Sequence, residues 1–160
     1  MNKLIIIVAM TPSRIIGNNG KLPWQKLDGD LPLFKENTLN TTLLMGRKTF
    51  DSLPGLLPRR EHVVISSKNK DYFPNEVKVF QELKQGLAYA KSREKQISVI
   101  GGEKIYQATL PLADNLYISH VKMEYQGNVH FPEVNWNDWY IEKEIEYQDF
   151  IFKTYIRNPN

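Results

Sequence analysis

The run Lys3-Leu4-Ile5-Ile6-Ile7-Val8-Ala9-Met10 is apolar without alternation, which predicts a strand over 3–10 buried on both faces. A long loop follows, Gly17-Asn18-Asn19-Gly20-Lys21-Leu22-Pro23-Trp24. A helix is predicted from Asp30 to Leu39, with Asp30, Leu31 and Phe34 on one broad face. Next come strand Thr42–Met45, a short helix Lys48–Leu53 and a turn-rich stretch with Pro54, Gly55 and Pro58. Strands over 62–66 and 77–80 lead to a helix over 81–91. Strand Ile97–Ile100 runs through Gly101-Gly102 into a helix over 103–110, which Pro111 ends.

Strand Asn115–Val121 opens a different C-terminal third. There Trp139–Glu146 and Phe150–Ile156 alternate apolar and polar residues around the turn Tyr147-Gln148-Asp149, the mark of an antiparallel hairpin. Strands alternating with helices, closed by such a hairpin, predict an α/β fold: a mostly parallel central sheet with helices on both faces. Ligands of such sheets sit at the carboxyl ends of the strands.

At 160 residues a single domain over 1–160 is expected. A net charge of +3 suits an anionic ligand but does not demand one. With no cysteine there are no disulfides or thiolate metal sites, and a reducing, cytoplasmic setting is expected. No stretch approaches the ~18 apolar residues of a membrane span. His62, His120 and His130 lack metal-ligand spacing, and no nucleophile elbow is present. The basic residues form no aromatic-interleaved stripe, so nucleic acid is not an expected partner.

Three strand ends carry anion chemistry. In Met45-Gly46-Arg47-Lys48-Thr49, two cations crowd a helix start where the dipole disfavours them, which points to a bound anion. Val63-Val64-Ile65-Ser66-Ser67-Lys68 ends in hydroxyls and a cation, and Ile100-Gly101-Gly102-Glu103 lets backbone approach a ligand. Neither a P-loop nor G-x-G-x-x-G is present, so a dinucleotide would bind outside the Rossmann plan. Asp30 has two local readings, a helix cap or an acid that a ligand must meet. Asp28 could serve as either, and Arg60 suits bidentate carboxylate recognition.

In order along the chain, Ile16-Gly17…Leu22-Pro23-Trp24, Asp30-Leu31…Phe34-Lys35…Thr38 and Met45 through Ser52 resemble dihydrofolate reductases of the bacterial chromosomal type. So do Leu57-Pro58-Arg59-Arg60, Ser66-Ser67, Ile100-Gly101-Gly102…Ile105-Tyr106 and Gly127…His130-Phe131-Pro132. The resemblance implies an oxidoreductase that reduces 7,8-dihydrofolate to tetrahydrofolate with NADPH, for one-carbon metabolism. It also implies a monomer that binds dihydrofolate and antifolate-type small molecules.

By the same resemblance Asp30, Leu22, Trp24 and Ser119 form the catalytic set, with Ser119 backing Asp30. Substrate would meet Ile7, Val8, Asp30, Leu31, Phe34, Leu57, Ile100 and Tyr106, with Arg60 on the glutamate carboxylate. Arg47, Lys48, Ser67 and Lys68 would serve the 2′-phosphate of the cofactor. Thr49, Gly101, Gly102 and Ile105 would contact its pyrophosphate, Ala9, Ile16 and Asn18 would flank its nicotinamide, and Gly46, Ser66, Glu103 and Tyr106 complete the cofactor-binding set. The Gly101–Gly102 bond is expected to be cis.

The chain departs from the commonest family pattern at several points. One extra residue separates Trp24 from Asp30, Leu22 stands for methionine, and Ser119 for threonine. Asn128 stands for aspartate, and Glu103 adds a charge at the pyrophosphate turn. Two other readings compete: a reductase of another pyrimidine-like substrate on the same fold, and a non-catalytic NADP-binding protein.

Overall fold

The computed structural model describes residues 2–159. Its strands are β1 (Leu4–Met10), β2 (Ile15–Gly17), β3 (Thr42–Gly46), β4 (Glu61–Ile65), β5 (Lys78–Phe80), β6 (Ile97–Val99), β7 (Asn115–Val121), β8 (Val129–His130), β9 (Trp139–Glu146) and β10 (Phe150–Arg157). Its α-helices are α1 (Asp30–Thr38), α2 (Arg47–Ser52), α3 (Leu83–Ser92) and α4 (Glu103–Thr109). Eight strands form one sheet in the order β5-β4-β3-β6-β1-β7-β10-β9. It is parallel from β5 to β7, and β10 pairs antiparallel with β7 and β9. The expected architecture holds, with element ends shifted by a residue or two.

Strand alternation divides the core between the two sheet faces. On one face Leu4, Ile6, Val8 and Met10 pack with Leu87 and Ala90 of α3 and Tyr106 of α4. The other face carries two separate clusters. Leu33 of α1 joins Trp24, Leu27, Val121, Phe150 and Phe152, while Leu43, Met45 and Val64 join Phe73, Phe50, Leu57 and Ile100. Between them runs β1, which presents Ile7, and beside it β6, whose end leads into Ile100 at the border of the second cluster. This division frames the site: α1 and α2 cover separate parts of one face, with β1 and β6 between them.

The strands β2 and β8 have no counterpart in the sequence pattern. They form a separate two-stranded sheet, pairing Ile15 with His130 and Gly17 with Val129. Gly127 makes this possible, because a Cβ there would lie 2.4 Å from the Gly17 carbonyl oxygen. Leu22 and the rest of the long loop are thereby tied to the C-terminal third.

Candidate active site

Gly29 decides where Asp30 lies. It occupies the helix N-cap at φ 95°, a left-handed conformation that favours glycine, and a Cβ there would come within 2.8 Å of the Tyr147 ring. The α1 start has no side-chain cap, so neither Asp30 nor Asp28 caps it. Asp28 is exposed and stands 3.6 Å from the Lys26 ammonium. Asp30 opens the helix and is half-buried, and the Ser119 hydroxyl donates to its Oδ1 at 3.0 Å. Burial raises the Asp30 pKa above the ordinary carboxylate range, and the Ser119 bond offsets part of that rise.

The apolar side chains near this acid divide by exposure. Leu22 and Leu31 are exposed, whereas Phe34, Leu57 and Ile100 are half-buried. Trp24 is buried and meets Tyr125 edge-on at 6.1 Å, so it anchors the loop beneath the site. Ala9 packs against this cluster on the Asp30 face, opposite Ser119 in the strand register. Ile7 shares that face, but Val8 does not. Its side chain lies in the core on the other face, so only Val8 backbone can meet a ligand. The unbroken apolar run of β1 gave no alternation from which to read that difference.

Arg60 is held by the end of α1. Its Nε donates to the Pro58 carbonyl at 2.9 Å, and its Nη1 donates to the Thr38 hydroxyl at 2.9 Å. The Thr38 hydroxyl is already donating to the Phe34 carbonyl at 2.8 Å, so toward Arg60 it can only accept. Nη2 has no protein partner among the described residues and is available to an anion. The turn that carries Arg60 is pinned by buried His62, whose Nε2 accepts the Leu57 N–H at 3.1 Å. Neither Thr38 nor His62 was expected in the site. Thr38 was legible as a motif residue, but its bond to a residue 22 positions away was not.

The strand ends fit a phosphate-bearing cofactor. Gly46 N–H donates to the Gly101 carbonyl at 2.9 Å, joining two of the glycine turns, and the Gly101–Gly102 bond is cis. A Cβ on Gly101 would sit 3.3 Å from Thr49 Oγ1 and 3.4 Å from the Tyr106 ring, and φ there is 121°. Only a bare backbone therefore passes between Thr49 and Tyr106. Ile105 lies 3.6 Å from a Cβ position on Gly46, and Glu103 opens α4. The Tyr106 hydroxyl turns away and donates to the Ile7 carbonyl at 2.8 Å, leaving only its ring to border a ligand.

Arg47 and Lys68 come together from adjacent strand ends around Tyr72, which had not been expected there. Lys48 is exposed, without a side-chain partner among the described residues. Ser66 Oγ accepts the Lys68 N–H at 3.0 Å, and Ser67 stands exposed beside it. Ile16 lies in β2 and Asn18 on the long loop after it, where Asn18 and Lys21 exchange backbone hydrogen bonds across Asn19-Gly20. Both central residues have positive φ, and the Asn-Gly pair was the available hairpin signal. Asn128 secures this turn. Its Oδ1 accepts the Asn19 N–H at 2.9 Å, and its own N–H donates to the Gly17 carbonyl at 3.0 Å.

No group of three or more His, Cys, Asp or Glu residues among the described residues could hold a metal ion. No helix among them is long and apolar enough to cross a membrane.

Residues 3–157 match the family model described as "Dihydrofolate reductase". A dihydrofolate reductase of Haemophilus influenzae is 34% identical over 145 residues, covering 91% of this chain and 86% of that protein. One of Bacillus subtilis is 38% identical over 133 residues, covering 83% and 77%. The solved structure of the Enterococcus faecalis dihydrofolate reductase complexed with NADP(H) and RAB-propyl superimposes with a TM-score of 0.86. It is 33% identical and covers 98% of this chain and 97% of its own. The half-buried acid, the glycine turns and the tethered arginine thus stand within a match that runs almost end to end, and the chain belongs to the dihydrofolate reductase family.

Proposed function

We infer that this protein reduces 7,8-dihydrofolate to 5,6,7,8-tetrahydrofolate, with NADPH as its cofactor. The observation that carries the reading is Asp30: a half-buried carboxylate that accepts from the Ser119 hydroxyl. A carboxylate so placed needs donors to remain charged. The N3–H and 2-amino group of a pterin supply two parallel ones. Ser119 occupies Oδ1 from one side and fixes the carboxylate plane, leaving Oδ2 and further lone pairs for that edge. Leu31 and Phe34 wall the ring and benzoyl group on one side, Leu57 and Ile100 on the other. Arg60 then takes the glutamate α-carboxylate through Nη2.

NADPH, when bound, supplies the hydride that reaches C6, and a proton adds at N5. The residues that would hold it are Arg47, Lys48, Ser67 and Lys68 at the 2′-phosphate, and Thr49, Gly101, Gly102 and Ile105 at the pyrophosphate. Ala9, Ile16 and Asn18 would border the nicotinamide. Asp30 is the sole acid proposed near the pterin and its partner edge lies away from N5, so the N5 proton arrives through water. The protein is proposed to act as a cytoplasmic monomer, one domain over 1–160.

The test is NADPH oxidation by purified protein with and without dihydrofolate. Dihydrofolate-dependent oxidation supports the reading. Tight NADPH binding without turnover would sink it and leave a non-catalytic NADP-binding protein. Oxidation supported only by another pyrimidine-like compound would move the substrate.

A further inference from the structure

We propose that Tyr72 is a positioning residue for cofactor selection, its ring and hydroxyl holding Arg47 and Lys68 as a pair poised for a dianionic phosphate. The proposal rests on the reading that these cations take the 2′-phosphate of NADPH, and it deepens that reading.

Tyr72 ends a turn over Lys70–Tyr72 that the strand pattern of the sequence does not reveal. The turn is fixed at both ends. The Asn69 Oδ1 accepts the Asp71 N–H at 2.9 Å, and buried Phe73 packs against Phe50 at 5.4 Å and against the Tyr72 ring at 4.8 Å. The Tyr72 ring is half-exposed even so. Two cations surround it. The Arg47 guanidinium carbon lies 6.0 Å from the ring centre and the Lys68 ammonium 5.5 Å.

These cations come from different elements, Arg47 from the start of α2 and Lys68 from the turn after β4. They would repel one another and spread into solvent without a shared partner. The ring supplies one, because its negative face attracts both. The hydroxyl adds a second restraint. It donates to Asp51 Oδ2 at 2.9 Å, the same oxygen that takes Arg47 Nη1 at 2.7 Å. Asp51 therefore fixes Arg47 through one nitrogen only. The Tyr72 hydroxyl also bonds the Arg47 guanidinium and favours its charged form, while the Lys68 ammonium makes no side-chain hydrogen bond among the described residues and keeps its donors free. Two cations, anchored from behind by an aromatic ring and a carboxylate, suit a phosphate oxygen set better than a neutral hydroxyl.

The test compares dissociation constants of NADPH and NADH, by cofactor fluorescence, for the full-length protein and its Tyr72→Leu, Tyr72→Phe and Arg47→Ala variants. For Tyr72→Leu the NADPH constant is expected to rise roughly tenfold while that of NADH stays within about twofold. Tyr72→Phe keeps the ring and loses the hydroxyl, so it falls between Tyr72→Leu and the parent protein. Its conservative character also keeps the proposal testable if Tyr72→Leu fails to fold. Equal losses for both cofactors would make Tyr72 a support of the turn and overturn the proposal, as would no loss for either. Arg47→Ala separates the two levels. If it weakens NADPH selectively while both Tyr72 variants do not, the phosphate reading stands and the role of Tyr72 falls. If it spares NADPH, the phosphate reading falls and the proposal with it.

Discussion

Asp30 and Asp51 are aspartates of the first two helices, on the same face of one sheet, yet they are built for opposite purposes. Asp51 pairs with Arg47 and Tyr72 near the surface, where a charge is cheap to keep and its partner can be shared. Asp30 is half-buried with a neutral hydroxyl as its partner, and burial raises its pKa. On the proposed function the first arrangement would present organised cations to an anion, and the second would leave a carboxylate short of donors until a substrate brings them. Pairing would then serve selectivity, and withheld pairing would serve chemistry.

Removing the charge at Asp30 is the strongest way to test this contrast. Asp30→Asn is expected to retain NADPH binding and lose turnover by roughly 10²–10⁴-fold, the usual scale for a group that handles a reacting protonation state. Its stability should move the other way. A raised carboxylate pKa contributes stability that is fully present below the unfolded value and lost as pH rises through the folded one. At neutral pH the asparagine variant should thus unfold at higher temperature than the parent protein, with the gap closing in acid. Near-normal turnover would shift the chemistry to Asp28 or elsewhere.

Arg60 offers the next largest effect. Its lost bond is charge-assisted, so Arg60→Leu should raise the KM for dihydrofolate about 10- to 100-fold, with kcat far less changed. A pterin substrate lacking the glutamate should show no such rise. Thr38→Val removes the acceptor that orients Nη1 and should give a smaller rise of the same kind, about threefold to tenfold. Thr38→Ser should restore it, since the hydroxyl is what counts. A rise that persists with the truncated pterin would mean that Arg60 supports the turn rather than the tail.

The parallel sheet was legible because strands buried on both faces read as unbroken apolar runs, as Leu4–Met10 does. That same absence of alternation does not reveal which face each side chain occupies, and Val8 packs in the core on the face opposite Ile7. The Asp30–Ser119 pair was legible through resemblance, but its electrostatics depend on packing around Gly29 and Tyr147 that no local pattern encodes. Strands β2 and β8 are too short to show a period, and the close approach of Gly127 to Gly17 sets them. Tyr72 lies in a turn of mostly polar residues, and only the fold carries it to Arg47.

The smallest effect separates the two ends by pH. His62 is neutral in its role, since its Nε2 must accept the Leu57 N–H, and burial lowers its pKa below the ordinary histidine value. A depressed histidine pKa contributes stability that is present above the unfolded value, about 6.5, and lost as pH falls through the folded one. Protonation would set two donors against each other and loosen the turn that carries Leu57 and Arg60. The KM for dihydrofolate should therefore climb a few-fold as pH falls below the ordinary histidine range, whereas the NADPH constant should follow only the cofactor phosphate. His120 does not blur the comparison, because burial and the nearby Lys153 push its pKa down to about 4. His62→Gln supplies a carbonyl acceptor that does not titrate, so it should flatten the KM rise. If the rise persists in that variant, the acid sensitivity belongs to Asp30 and its substrate, and the turn is not its source.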